Sequence, residues 1–86
     1  MFVHVVNFWL KKGLSVEDIA LFEAGVQSLA DVETVDVFSV GKPAKTDRPV
    51  IDRSYDYCLL TTFEEEKGHD YYQTAPIHLE FIKNCA

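Results

Sequence analysis

The chain has no basic run, no paired-cysteine motif, no glycine-rich phosphate loop and no long hydrophobic stretch. Each absence removes a class of function. Lys and Arg number 8 against 14 Asp and Glu, a formal net charge of −6. Affinity for nucleic acid rests largely on cations that neutralise phosphates, so nucleic acid is not an expected partner. Anionic membrane surfaces are disfavoured for the same reason. Cys58 and Cys85 form no disulfide framework, which fits a reducing compartment. His4, His69 and His78 lack ligand spacing and no cysteine pair supports them, so no metal is expected. Without a phosphate loop or dinucleotide fingerprint, no cofactor is expected either. Phe2 to Leu10 is apolar, but no basic segment precedes it and Lys11–Lys12 follow, so it does not read as a leader. It is far too short to span a bilayer. A cytoplasmic protein is the expectation.

What is present is apolar. The chain's 86 residues suit one domain, 1–86, and a domain this small hides only part of its surface. Hydrophobic residues make up 48% and aromatics 13%, more than one small core readily covers, so a second copy of the chain is the expected partner.

Residues 2–10 read as a strand. Alternation sets Phe2, His4, Val6, Phe8 and Leu10 on one face and Val3, Val5, Asn7 and Trp9 on the other. Both faces are largely apolar, so cover on both sides is expected. Ser15 then caps a helix, with Asp18 completing an S-x-x-D box. Ile19, Phe22, Val26 and Leu29 form its apolar stripe. A second strand is expected over 33–41, a loop from Gly41 to Ser54, and a third strand over 55–63. Glu64 to Glu66 suit a helix start that runs to about Gln73. Pro76 opens a last short helix, as proline does well at the first helical position.

The order is strand, helix, strand, strand, helix, helix, which is α+β and ferredoxin-like but for a last strand. With His4 among apolar neighbours, the Ser15 helix, Val40-Gly41, Tyr55-Asp56, Phe63-Glu64 and Tyr72…Pro76-x-His78 in this order, the chain resembles the stress-responsive dimeric alpha/beta-barrel (Dabb) family. The resemblance covers nearly the whole length. It implies a ferredoxin-like protomer that pairs sheet to sheet with a second copy to form a dimeric α+β barrel. Some plant relatives in that family are polyketide cyclases that close a ring by aldol condensation. In those, the positions matching His78 and Tyr72 carry the chemistry, and the position matching His4 shares their pocket. Two departures stand out. Ala75 replaces a frequent histidine, and the usual final strand is missing.

Three functional classes follow, the third of them, by fold analogy alone, a cofactor-independent monooxygenase. In the first, the protein is a stress-associated homodimer that binds a small apolar molecule in the barrel interior, within a chamber lined by His4, Val6, Phe8, Tyr57, Leu59 and Thr61. In the second, it is a cofactor-free cyclase-like or isomerase-like enzyme. His78 is then the general base on a C–H beside a carbonyl, Tyr72 the hydrogen-bond donor to the oxyanion, and His4 a group that orients substrate or shares the proton. The plainer alternatives are a His78 that caps or packs at a helix start, a Tyr72 buried with its hydroxyl bonded, and a His4 bonded to backbone. His69 reads as solvent-facing on an acidic helix.

Overall fold

Alternation in the first segment produces a strand with one buried and one exposed face. The structure is a computed structural model and describes residues 1–45 and 48–85, without the side chain of Cys85. Part of the expected Gly41–Ser54 loop, residues 46 and 47, thus lies outside the described residues. Strand β1 spans Phe2–Phe8 and alternates between half-buried and exposed positions. It ends two residues earlier than expected because its next partners are side chains. Asp56 Oδ2 accepts from the Leu10 N–H at 2.6 Å, and Ser54 Oγ accepts from Trp9 Nε1 at 3.0 Å. The same strap starts β3 late: Tyr55 and Asp56 precede it, and the strand itself is Tyr57–Phe63.

Helix α1 spans Val16–Ser28, and the Ser15 hydroxyl accepts from the Asp18 N–H at 3.1 Å, as the S-x-x-D pattern predicts. Phe22, Val26 and Leu29 are buried at this helix and at the 3₁₀ turn Leu29–Asp31 that continues it. Strand β2 is only Phe38–Gly41, four residues. The expected span from 33 fails on its N-terminal side because Val35 closes a turn onto Val32 and the next pairing is irregular. Asp36 N–H donates to the Thr62 carbonyl at 2.8 Å, Thr62 N–H donates to the Val37 carbonyl at 3.0 Å, and Thr62 Oγ1 accepts from Val37 N–H at 3.1 Å. Two residues thus oppose one, the arrangement of a β-bulge.

The sheet order is β1-β3-β2, with both outer strands antiparallel to β3. His4 pairs with Thr61 and Val6 with Leu59. Helix α2 spans Glu66–Thr74 and α3 spans Pro76–Cys85. This is a ferredoxin-like α+β fold. No strand follows α3 among the described residues.

The helices pack on one sheet face only. Leu59, Thr61, Phe63 and Tyr57 of β3 turn toward them and are buried with Phe22, Val26, Leu29, Tyr72 and Phe81. The opposite face carries Val3 and Val5, each just over half exposed in the protomer. The expectation of cover on both sides therefore holds for only one side of the single chain. No helix of the described residues is long and apolar enough to cross a membrane.

Candidate functional site

Helix α2 arrives over the sheet at a fixed height and phase. Gly68 lies over Phe63, where even a Cβ would make ordinary van der Waals contact at 3.4 Å. Thr34 Oγ1 donates to the Gly68 carbonyl at 2.8 Å, and Tyr71 donates to Glu33 at 3.0 Å. With the helix so held, residues one turn apart share its inner side. Tyr72 is 1% exposed. His69 lies with it and is 17% exposed at its side chain.

His69 was expected to face solvent; the structure turns it inward. The acidic composition of Glu66 and Asp70 suggested a solvated helix, but helical phase decides. Once Tyr72 is read as buried, the residue three positions before it belongs to the same face, and that is the signal that could have found His69.

Four rings gather here. The Tyr72 ring lies 4.7 Å from His78, 6.1 Å from His4 and 6.3 Å from His69, and His4 and His69 are 4.6 Å apart. Phe2 and Phe63 close the His69 side at 4.9 and 5.5 Å. The sequence-predicted trio His4, Tyr72 and His78 is thus brought together.

His78 is 9% exposed, and its Nδ1 lies 3.1 Å from the Gln73 carbonyl. A carbonyl only accepts, so Nδ1 carries the hydrogen and the lone pair of the neutral ring is on Nε2. Gln73 is in the last turn of α2, where backbone carbonyls lack helical partners. His78 therefore does cap a helix end, and the capping bond is the one that frees Nε2. Burial lowers the His78 pKa, the Gln73 bond raises it, and His69 lowers it further. His4 is lowered by burial, then by His69 and His78. Both rings are held toward the neutral form. Burial pushes Tyr72 up to about 12, which keeps its hydroxyl protonated.

The Tyr72 hydroxyl and the His4 ring nitrogens have no hydrogen-bond partner among the described residues. Yet no fully buried side-chain polar atom among those residues lacks a bond. These groups therefore edge onto accessible space instead of being sealed in the core. Ala75, 5% exposed, contributes no polar group.

The remaining predicted lining residues sit elsewhere on the same face. Val6 and Leu59 pack in the core, and Thr61 Oγ1 donates to the His4 carbonyl at 3.5 Å. These side chains face the helices, not the open side of the sheet, and they fill the space between. Phe8 borders a cleft of about 510 Å³ with Leu10, Leu14, Phe22 and Phe81. Tyr57 borders one of about 280 Å³ with Phe22, Val26 and Val40. Its hydroxyl donates to Glu23 at 2.5 Å, and that bond, with burial, raises it to about 12. No group of three or more His, Cys, Asp or Glu among the described residues is arranged to hold a metal.

A family model described as stress responsive A/B barrel domain matches residues 2–86. Among solved structures, the chain is similar to the protein At3g17210 from Arabidopsis thaliana, with 26% identity and a TM-score of 0.77 over 96% of this chain and 80% of that one. A dimeric ferredoxin-like protein of unknown function from Thermobifida fusca aligns at 18% identity and TM-score 0.75, covering 98% and 76% of the two chains. A hydroxynitrile lyase from Passiflora edulis aligns at 23% identity and TM-score 0.74, covering 94% and 76%. The last two likenesses bear on the fold alone. No curated protein matches the chain.

Proposed function

This chain belongs to the stress responsive A/B barrel domain family, and from that premise we propose that it is a homodimer that moves protons on a small, mainly apolar carbonyl compound. The carrying observation is the set of polar groups left without protein partners in an apolar surround: the Tyr72 hydroxyl, the His4 ring and the His78 Nε2 fixed by the Gln73 bond. Polar groups that border accessible space within an apolar surround are the kind that orient a small ligand.

In this reading His78 Nε2 takes the proton from a C–H beside the carbonyl. The electron pair moves to the carbonyl oxygen, and Tyr72 donates a hydrogen bond to that oxyanion. His4 orients the carbonyl. The proton then returns to carbon or oxygen as the product forms. The homodimer is supported by the dimeric relative and by the apolar exposed sheet face of Val3, Val5 and Trp9.

The test is exchange of the acidic C–H of benzoylacetone in deuterated buffer, followed by proton NMR. A cyanohydrin serves as a second probe because one structural relative carries the name hydroxynitrile lyase. His78→Asn keeps a donor for the Gln73 carbonyl while removing the base. It should lower exchange by about 10²-fold or more, the range for a lost general base. Wild-type protein that binds the probe without accelerating exchange leaves the plain binding function and rejects the catalytic one. Exchange retained in His78→Asn rejects the assigned base.

A further inference from the structure

Beside the outer strand β2, Tyr57 stands between two opposite charges. Its hydroxyl donates to Glu23 Oε2 at 2.5 Å, and the Lys42 ammonium lies over its ring, 5.8 Å from the centroid. Glu23 and Lys42 flank one ring yet form no ion pair with each other, and Lys42 forms none with any described residue. Glu23 Oε1 likewise has no hydrogen bond among the described residues. The other carboxylate near Tyr57, that of Asp56, already accepts from the Leu10 N–H. Both free charges line a cleft of about 280 Å³ whose apolar floor is Phe22, Val26 and Val40. None of His4, Tyr72 and His78 borders it. Val40 is paired with Leu59, so it lies on the helix side of the sheet. The opposite sheet face, assigned above to the dimer, leaves the cleft open.

We propose that this cleft is a second small-molecule site, one that takes a free α-amino acid with an apolar side chain. The ligand carboxylate meets Lys42 Nζ, its ammonium meets Glu23 Oε1, and its side chain lies on Phe22, Val26 and Val40. An apolar floor with a few placed polar groups is how small-molecule sites are built, and a volume just below that of drug-sized sites suits a molecule as small as leucine. The Tyr57 hydroxyl occupies Oε2 and so leaves Oε1 as the free acceptor. Two unpaired charges of opposite sign at one mouth select a ligand that carries both. A residue within a peptide carries neither α-charge and a terminal residue only one, so the free amino acid is the matching form. The proposal does not rest on the proton-transfer reading.

The test is amide NMR of the full chain titrated with L-leucine, with 4-methylpentanoate (no ammonium) and with isopentylamine (no carboxylate). Glu23 and Lys42 are exposed, so each ion pair adds little and a dissociation constant for leucine of about 1 mM is expected. Saturable shifts should centre on Val26, Val40, Gly41 and Tyr57. Each analogue should bind about fivefold more weakly than leucine, the scale of one exposed ion pair. Lys42→Met should weaken leucine about fivefold and leave isopentylamine unchanged. Glu23→Gln, which keeps an oxygen for the Tyr57 hydroxyl, should weaken leucine about fivefold and leave 4-methylpentanoate unchanged. The analogue series on wild-type protein carries the test should a variant fail to fold. No saturable shift up to about 20 mM leucine, shifts centred elsewhere, analogues that bind as well as leucine, or affinity unchanged in both folded variants overturns the proposal.

Discussion

Removing the hydroxyl of Tyr57 should destabilise the fold, whereas removing that of Tyr72 should not. The two residues are alike in burial, at 1% and 8% exposure, and in chemistry. They differ in what the hydroxyl meets. Tyr57 donates to Glu23 at 2.5 Å, whereas the Tyr72 hydroxyl has no partner among the described residues. A hydrogen bond to a charged group contributes about 1.5–3 kcal/mol in buried settings. Glu23 is exposed to water, so for Tyr57→Phe a loss of about 1 kcal/mol is the expectation. A hydroxyl placed in apolar surroundings without a partner costs about 1–3 kcal/mol. The Tyr72 oxygen edges onto accessible space, so Tyr72→Phe should be neutral to about 1 kcal/mol stabilising. The ring contacts with His78, Phe63 and His4 survive in that variant. For a domain of this size 1 kcal/mol is about 4–8 °C in Tm. Urea melts at one fixed protomer concentration are the assay, since a dimer's stability depends on concentration. A Tyr72→Phe variant destabilised as much as Tyr57→Phe would show that the Tyr72 hydroxyl is bonded within the fold, and the site assigned to it would fail. Stabilisation accompanied by loss of exchange activity would mark the hydroxyl as kept for chemistry at the expense of the fold.

Two further outcomes are expected. His4 and His78 have pKa values lowered below 6.5 in the folded chain, so the unfolded chain binds protons more readily as pH falls. Stability should therefore be fully present above about pH 6.5 and decline below it until the folded rings protonate; a urea midpoint flat from about pH 7.5 to about pH 5 would contradict the burial of both rings. Val5→Asp places a charge in the middle of the exposed sheet face, where Val5 is 54% exposed; sedimentation should show a folded monomer in place of the proposed dimer, and an unchanged dimer would move the interface elsewhere.

Several elements were legible because their information is local. The alternation of β1 separates His4, Val6 and Phe8 from Val3 and Val5, and Ser15 with Asp18 marks the start of α1. Pro76 marks the start of α3 in the same way. The convergence of His4, Tyr72 and His78 was legible through the family resemblance. Other features depend on contacts distant in sequence. The start of β2 depends on Thr62, which lies on another strand and bonds both Asp36 and Val37. The inward turn of His69 depends on Thr34, distant in sequence, holding the Gly68 carbonyl. Alternation also separates two faces of a sheet without saying which one the helices cover. For that reason alternation groups Val6, Leu59 and Thr61 on one face without saying that they pack under the helices.

The two outer strands of this sheet differ in how they meet other chains. Strand β2 offers four residues and is bent at its start by the paired opposition of Asp36 and Val37 to Thr62, a shape that blunts further strand addition. Strand β1 offers seven regular residues, rich in valine and aromatics, with no neighbour on its outer side among the described residues. Unpaired backbone of that length is a template for pairing. In concentrated solution, aggregation should therefore begin along β1, and a lysine introduced at Val3 should slow it more than any change on β2.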